Sequence, residues 1–265
     1  MGDAAGSWAE DLDLIRAAAS AAGEVAMGFF GKSPEVWYKN ENRSPVSAAD
    51  FAANEKLAQM LRAARPNYGW LSEETEDDAA RLGCETLFVV DPIDGTRAFI
   101  AGLDTWCVSV AVVHRAVPVA GVLVAPALGE DFWAAAGAGA WKNGKAISVS
   151  APVRGARLQL AAPEDIVSRF EPGFRAGVER IRHVPSLAYR LAMIADGRID
   201  GTLVKKNSHD WDLAAADIIL AEAGGQLVGL EGRPLAYNRE TVAHDTLCAA
   251  SAEVLPHLLA NLTRI

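Results

Sequence analysis

The stretch Leu87 to Phe99, LFVVDPIDGTRAF, constrains this chain more than any other. Leu87, Phe88, Val89 and Val90 form a short apolar run of β-formers, which reads as a buried strand ending where the polar residues begin. Asp91 is thereby delivered at the strand's carboxyl end. Pro92 has no backbone donor and a fixed φ, so the chain turns at once and brings Asp94 back beside Asp91. Two carboxylates in one small volume repel each other and push one pKa up unless cations sit between them, so the arrangement asks for a metal. Gly95 lets the backbone come close to a ligand, and if a helical turn starts at Thr96 its free N–H groups point at whatever anion the metal holds. Asp-Pro and Asp-Gly are also ordinary turn dipeptides, so the stretch alone reads equally well as a plain turn. What separates the two readings lies elsewhere in the chain.

With 265 residues, 51% of them hydrophobic and 22% charged, the chain buries a large core as one domain or two closely packed halves. A formal net charge of -9 argues against a nucleic-acid surface, which needs clustered Lys and Arg in excess. Small phosphorylated ligands remain open, because metal ions supply local positive charge. Cys84, Cys107 and Cys248 are odd in number, far apart and without CxxC spacing, which fits a reduced compartment. The amino-terminal segment carries Asp3, Glu10, Asp11 and Asp13 rather than a basic-then-apolar signal, and no apolar run reaches membrane-spanning length. A cytoplasmic protein without a membrane partner is expected.

In chain order, Trp8 to Phe30 is an Ala-rich packing helix with Leu12, Ile15, Ala19, Ala22 and Ala26 on one face. Gly31 to Ser33 ends it, and Val36 to Lys39 is a short extended piece leading into the polar loop Asn40 to Pro45. Ser47 then reads as an N-cap with Asp50 at N3, and Phe51, Leu57, Met60 and Leu61 give the next helix its apolar side. Asp50 alone is an ordinary capping-box acid. Trp70 and Leu71 precede Ser72, Glu73, Glu74 and Thr75, repeating the grammar of a strand followed by carboxylates. An acidic surface loop is the plain alternative, but if this strand lies beside Leu87 to Val90, Glu73 or Glu74 reaches the same edge as Asp91.

Strands are expected over Trp106 to Val113, Val119 to Ala125, Asp131 to Ala135 and Ala146 to Val149, with Asn143-Gly144 closing a hairpin. A break at Ala151 to Gly155 divides the chain into a half over 1–150 with the first acidic motifs and a half over 151–265, together one catalytic unit. The second half predicts a strand at Leu158 to Ala161, a helix around Ile166 to Arg180, a strand near Arg182 to Val184 and a helix from about Leu187 to Asp196. Next, His209, Asp210, Trp211 and Asp212 stand before LAAADIILAEAGG, a buried helix stopped by Gly224-Gly225, with Asp212 equally readable as its N-cap. A strand pair at Leu227 to Leu230 and Leu247 to Ala250 and an amphipathic helix over Glu253 to Leu262 close the chain.

SEET at Ser72 to Thr75, DPIDGT at Asp91 to Thr96 and WDLAA at Trp211 to Ala215 together resemble the three ordered signatures of the inositol monophosphatase family, across the span from about Asp50 to Gly225. The resemblance implies a layered α/β/α/β/α sandwich, shared with fructose-1,6-bisphosphatases, commonly dimeric. It also implies metal-dependent, often lithium-sensitive hydrolysis of phosphate monoesters. Carried over by residue, it makes Glu73, Asp91 and the Ile93 carbonyl ligands of one Mg²⁺ and Asp91, Asp94 and Asp212 ligands of a second, with Asp50 positioning a third, weaker ion or its loop. Glu73 and Thr96 orient the attacking water in that scheme, and Gly95 and Thr96 bind phosphate through backbone N–H groups. An all-oxygen, carboxylate-rich set without His or Cys independently suits a hard cation.

Two departures from the family pattern stand out. Ala216 occupies a position that usually carries glycine. Six positions before Trp211, where these phosphatases usually carry an acid that binds sugar hydroxyls, stands Lys205, followed by Lys206. A basic pair at the substrate edge suits a second anionic group and, with the Ser before Glu73 and the Arg97-Ala98-Phe99 continuation, leans toward relatives acting on nucleotide bisphosphates or histidinol phosphate. The lysines read equally as solvated surface charges. A non-catalytic binding or regulatory protein on the same scaffold is the contrasting reading, weakened because Glu73, Asp91, Asp94 and Asp212 are all present.

Overall fold

The computed structural model describes residues 8–32, 35–39, 44–151 and 155–262. Asp3, Ser33, residues 40–43 of the polar loop and residues 152–154 of the break between halves lie outside the described residues. Helix α1 (Ala9–Met27) is followed by a two-stranded antiparallel ribbon, β1 (Val36–Lys39) and β2 (Ser44–Ser47), and by α2 (Ala48–Ala64). Ser47 is the N-cap of α2, and the reciprocal capping box with Asp50 at N3 is formed as the sequence predicts.

A seven-stranded sheet runs in sequence order through β3 (Gly69–Ser72), β4 (Thr86–Asp94), then after the short α3 (Thr96–Ile100) through β5 (Cys107–His114), β6 (Val117–Ala125), β7 (Glu130–Ala135), β8 (Ala140–Lys142) and β9 (Lys145–Ile147). Only β3 and β4 pair in parallel; the other neighbours are antiparallel. β4 outruns the expected strand. Its pairing with β5 slips after Asp91 opposite Ser109 and resumes at Asp94 opposite Cys107, so the turn at Pro92 is an irregularity within a strand rather than the strand's end. Asn143 and Gly144, with φ of 48° and 76°, join β8 to β9 in the predicted two-residue turn.

The second sheet holds β10 (Leu158–Ala161), β11 (Val178–Arg180), β12 (Gly201–Val204), β14 (Gly225–Gly229) and β16 (Leu247–Ser251) in the order β11-β10-β12-β16-β14. The single helix expected over Ile166 to Arg180 is instead two short ones, α4 (Glu164–Val167) and α5 (Pro172–Ala176), and the strand expected near Arg182 lies earlier, at Val178–Arg180. Pro172 starts a new helix at its first turn, Gly177 ends it, and β-branched Val178 then pairs with Leu158. Helices α6 (Leu187–Ala195), α7 (Asp210–Glu222) and α8 (Leu255–Leu262), and a small ribbon of β13 (Ser208–His209) with β15 (Ala243–His244), complete the fold.

The layers follow from side-chain parity. In β4, Phe88 and Val90 pack with Ile15, Ala19, Leu57 and Leu61 of α1 and α2, while Leu87 and Val89 face the opposite core with Leu191, Leu213 and Ile219 of α6 and α7. In β16, Leu247 and Ala249 join that second core, and Cys248 and Ala250 face Leu255 and Leu258 of α8. The chain is therefore an α/β/α/β/α sandwich, with α6 and α7 between two sheets. Residing there, α7 is apolar on nearly all sides, as its run of Leu, Ala and Ile requires. It settles close against the sheet because β6 carries Gly121: a Cβ there would stand 2.5 Å from Ile218 Cγ2 and 2.7 Å from the Ala215 carbonyl oxygen.

Candidate active site

Parallel pairing of β3 with β4 sets Ser72 opposite Val90, and the Glu73 N–H continues the ladder to the Val90 carbonyl at 3.2 Å. Glu73, just past the end of β3, and Asp91, at the irregularity within β4, therefore stand side by side. The Asp91 carboxylate accepts from the Ile93 N–H at 3.0 Å across Pro92, an Asx-type turn that tightens the bend. The third acid arrives from the other half. Asp212 is not the N-cap of α7; His209 is, and Asp212 at N3 accepts from the His209 N–H at 2.7 Å. Ligand oxygens of Glu73, Asp91 and Asp212 all lie within 4.8 Å of one another.

Asp94 occupies a different arrangement. Its Oδ2 accepts from the Ser186 hydroxyl and from the Ala188 N–H at 2.7 Å, both at the start of α6. Burial, followed by the charge of Asp212, pushes the Asp94 carboxyl up to about 7. Asp91 is raised well above the usual carboxylate range by burial and by the neighbouring Glu73, Asp94 and Asp212. Raised carboxyls crowded into one buried cluster are the electrostatic signature of a site built for positive charge.

Gly95 has φ of 95°, and a Cβ on it would meet Ser186 Cβ at 3.1 Å and the Thr105 carbonyl at 3.2 Å. Only glycine tolerates both that conformation and that approach. Thr96 follows at the start of α3, and its hydroxyl lies 3.2 Å from Asp50 Oδ1 and 3.1 Å from the Ile93 carbonyl. Asp50 spends its other oxygen on the cap, accepting from Ser47 N–H at 2.8 Å and Ser47 Oγ at 2.6 Å. The Ile93 carbonyl has a second lone pair and can still face a cation. The N–H groups of Gly95 and Thr96, at a helix start, have no helical carbonyl to bond.

Sequence reasoning missed two supports. Ser186 was visible as an N-cap before LAYRLAMIA, but not as a partner of Asp94 from 92 residues away. Asn54 of α2 accepts from Ser72 Oγ at 2.7 Å and donates to Thr75 Oγ1 at 3.2 Å, bracing the ends of SEET, with no local pattern to announce it. The two lysines part company. Lys205 lines a cavity of about 380 Å³ with Arg180, His183 and Arg190, while Lys206 lines a separate one of about 700 Å³ with Arg233 and Arg239. They do not line one cavity as a pair.

The profile of the inositol monophosphatase family matches residues 8–264. The chain is 33% identical to the 3′(2′),5′-bisphosphate nucleotidase CysQ of Aggregatibacter actinomycetemcomitans over 83% of its length and 85% of that protein. It is 31% identical to the histidinol-phosphatase of Mycobacterium tuberculosis over 95% of its length and 99% of that protein. Among solved structures it superposes on the extragenic suppressor protein suhB of Bartonella henselae with a TM-score of 0.84 and 29% identity, covering 97% of this chain and 99% of that one. With its acidic signatures gathered at one edge of this five-layered fold, the chain belongs to the inositol monophosphatase family and is a phosphatase.

Proposed function

We propose that this phosphatase is Mg²⁺-dependent and hydrolyses a small phosphate monoester, an inositol monophosphate or a related phosphorylated metabolite, by direct attack of water. The carrying observation is the convergence of Glu73, Asp91 and Asp212 from two strand ends and a helix start to within 4.8 Å. The oxygen-only donors and the raised Asp91 and Asp94 carboxyls fit hard divalent cations. Glu73, Asp91 and the Ile93 carbonyl would hold one ion; Asp91, Asp94 and Asp212 a second; Asp50 stands near a third, weaker position. Bound there, the ions lower the pKa of water and neutralise charge on the phosphoryl oxygens and leaving alkoxide.

The chain's own groups supply the rest. Asp50 accepts from the Thr96 hydroxyl, which with Glu73 orients the attacking water; as the water gives its proton to Thr96, Thr96 passes its own to Asp50. Gly95 and Thr96 N–H groups receive a phosphate oxygen where negative charge develops. No covalent phosphoenzyme is needed. A 3′(2′),5′-bisphosphate nucleotidase or histidinol-phosphatase is the second reading, favoured by the named activities of the relatives above and by Lys205 in place of a hydroxyl-binding acid. We further read the two halves as one catalytic unit, forming a lithium-sensitive homodimer in the cytoplasm, with neither nucleic-acid polymer nor membrane as partner. No helix among the described residues is long and apolar enough to cross a membrane.

A phosphate-release screen with Mg²⁺ over inositol 1-phosphate, 3′-phosphoadenosine 5′-phosphate, histidinol phosphate and fructose 1,6-bisphosphate tests these readings. Release from at least one that stops in EDTA is expected. Turnover that persists in EDTA would overturn the metal-dependent mechanism.

A further inference from the structure

The cavity that Lys205 lines stands at the carboxyl ends of three parallel strands. β10 pairs in parallel with β11 on one side and with β12 on the other, and the chain crosses back over β10 between them. Ligands bind in such crevices because connections diverge there and leave an open edge. Here the edge is basic: Arg180 ends β11, His183 follows it, Lys205 follows β12, and Arg190 comes from α6.

Arg190 carries the argument. Its Nε is buried and has no hydrogen-bond partner among the described residues, although a guanidinium presents five donors in a fixed fork. No carboxylate among the described residues lies within ion-pair distance of it, and burial pulls its pKa down, opposed by the charge of Asp94. A buried guanidinium nitrogen is thus left without a partner among the described residues, and the partner its fork suits is a planar or tetrahedral oxyanion. Arg180 and Lys205 have partners, Glu164 at 3.2 Å and Asp165 at 3.4 Å, but these pairs are solvent-exposed. Exposed pairs of this kind yield readily to a doubly charged anion. Both acids sit on α4.

The cavity is tied to the carboxylate centre by one turn of helix. Ser186 donates its hydroxyl to Asp94, and its carbonyl accepts from the Arg190 backbone N–H at 3.2 Å, so the residue fixing Asp94 and the arginine lie on one face of α6. We propose that Arg190, with Arg180, His183 and Lys205, forms a subsite for a second phosphate group on the substrate, which favours the bisphosphate reading above over the inositol monophosphate one and makes this phosphatase selective for bisphosphorylated small molecules over monophosphates with a neutral remainder. The inference rests on reading the carboxylate centre as the place where the first phosphate is hydrolysed.

Two measurements on the full chain test it. With Mg²⁺, KM for 3′-phosphoadenosine 5′-phosphate and for inositol 1-phosphate is compared between the parent and Arg190→Gln, Arg190→Lys, Arg180→Ala and Lys205→Ala. In EDTA, inorganic phosphate binding is followed by calorimetry in the same proteins. Arg190→Gln should move the KM ratio against the bisphosphate by at least about tenfold, the scale of a lost charge-assisted contact, with Arg190→Lys recovering part of it. The surface variants Arg180→Ala and Lys205→Ala, which leave the core untouched, should shift the ratio in the same direction. Phosphate binding in EDTA should weaken in parallel. A parent that binds no phosphate in EDTA, or variants that leave both readouts unmoved while monophosphate is turned over, would overturn the subsite. Phosphate binding that the variants abolish with an unchanged KM ratio would make the cavity a free-phosphate site and overturn its link to substrate. Loss of all turnover with phosphate binding intact would count against the hydrolytic reading alone.

Discussion

Thr96 Oγ1 lies 3.2 Å from Asp50 Oδ1 and 3.1 Å from the Ile93 carbonyl, so its single proton points at these acceptors and its lone pairs are left to accept a hydrogen bond from water. Asp50 does this with one oxygen while the other caps α2. A helix cap and a site residue are therefore the same carboxylate. Asp212 is likewise the N3 acid of its own capping box and a member of the carboxylate cluster.

Thr96→Ala should lower kcat by about a hundredfold or more, the usual scale of general acid–base assistance, with little change in metal affinity. Steady-state kinetics beside a Mg²⁺ titration separates the two. A large shift in metal affinity with kcat intact would make Thr96 structural.

Asp91→Asn should abolish Mg²⁺-dependent turnover, because Asp91 is the ligand shared by both proposed ions. The same change removes a buried acid that burial and four neighbouring acids push toward protonation, so the melting temperature of the metal-free protein should not fall. Near-normal turnover by the folded variant would defeat the two-metal assignment.

The Asp94 carboxyl, raised to about 7, makes metal binding and stability depend on pH. Its folded value is above its unfolded one, so the stability it contributes to the metal-free protein is complete below the unfolded pKa and is lost as pH rises through about 7. A bound cation removes that loss. The Mg²⁺-induced rise in melting temperature should therefore grow between pH 5 and 8, and apparent metal affinity should increase about tenfold per pH unit below the pKa if one proton is released. A flat profile would mean that Asp94 stays ionised without metal.

Ser186→Ala removes the hydroxyl that holds Asp94 and caps α6. Loss of the cap alone costs about 1 kcal/mol of stability. Loss of the ligand's support should in addition weaken Mg²⁺ binding by roughly 10- to 100-fold. Titration of the folded variant distinguishes the two effects, since a purely structural cap leaves metal affinity where it was.

Gly121→Ala tests the layering rather than the chemistry. The new Cβ meets α7 backbone and Ile218, so about 1 to 3 kcal/mol of destabilisation is expected in chemical denaturation. Because α7 carries Asp212, activity should fall with it even though Gly121 touches no substrate.

Much was legible before any fold was known, because it is local. The apolar run Leu87–Val90, the turn-forming Pro92, the Ser47/Asp50 box and the Asn143-Gly144 hairpin each depend on residues a few positions apart, and all appear in the structure. The pattern misled where local signals were weak: Ile166 to Arg180 has helical periodicity, yet Pro172 and Gly177 break it and pairing with β10 claims Val178. Charge type was also readable, since acids without His or Cys suit a hard cation in any fold. What the tertiary structure alone decided is which of those acids meet. Parallel pairing of β3 and β4 puts Glu73 beside Asp91, and the close seat of α7 on Gly121 brings Asp212 from 121 positions further along the chain to the same point. The same packing turned Asp94 toward Ser186, buried Arg190 Nε without a partner among the described residues, and sent Lys205 and Lys206 to different cavities. Sequence patterns report neighbours along a helix or strand, whereas burial, and with it the energy of every charge in this site, depends on contacts between elements that only the packed layers create.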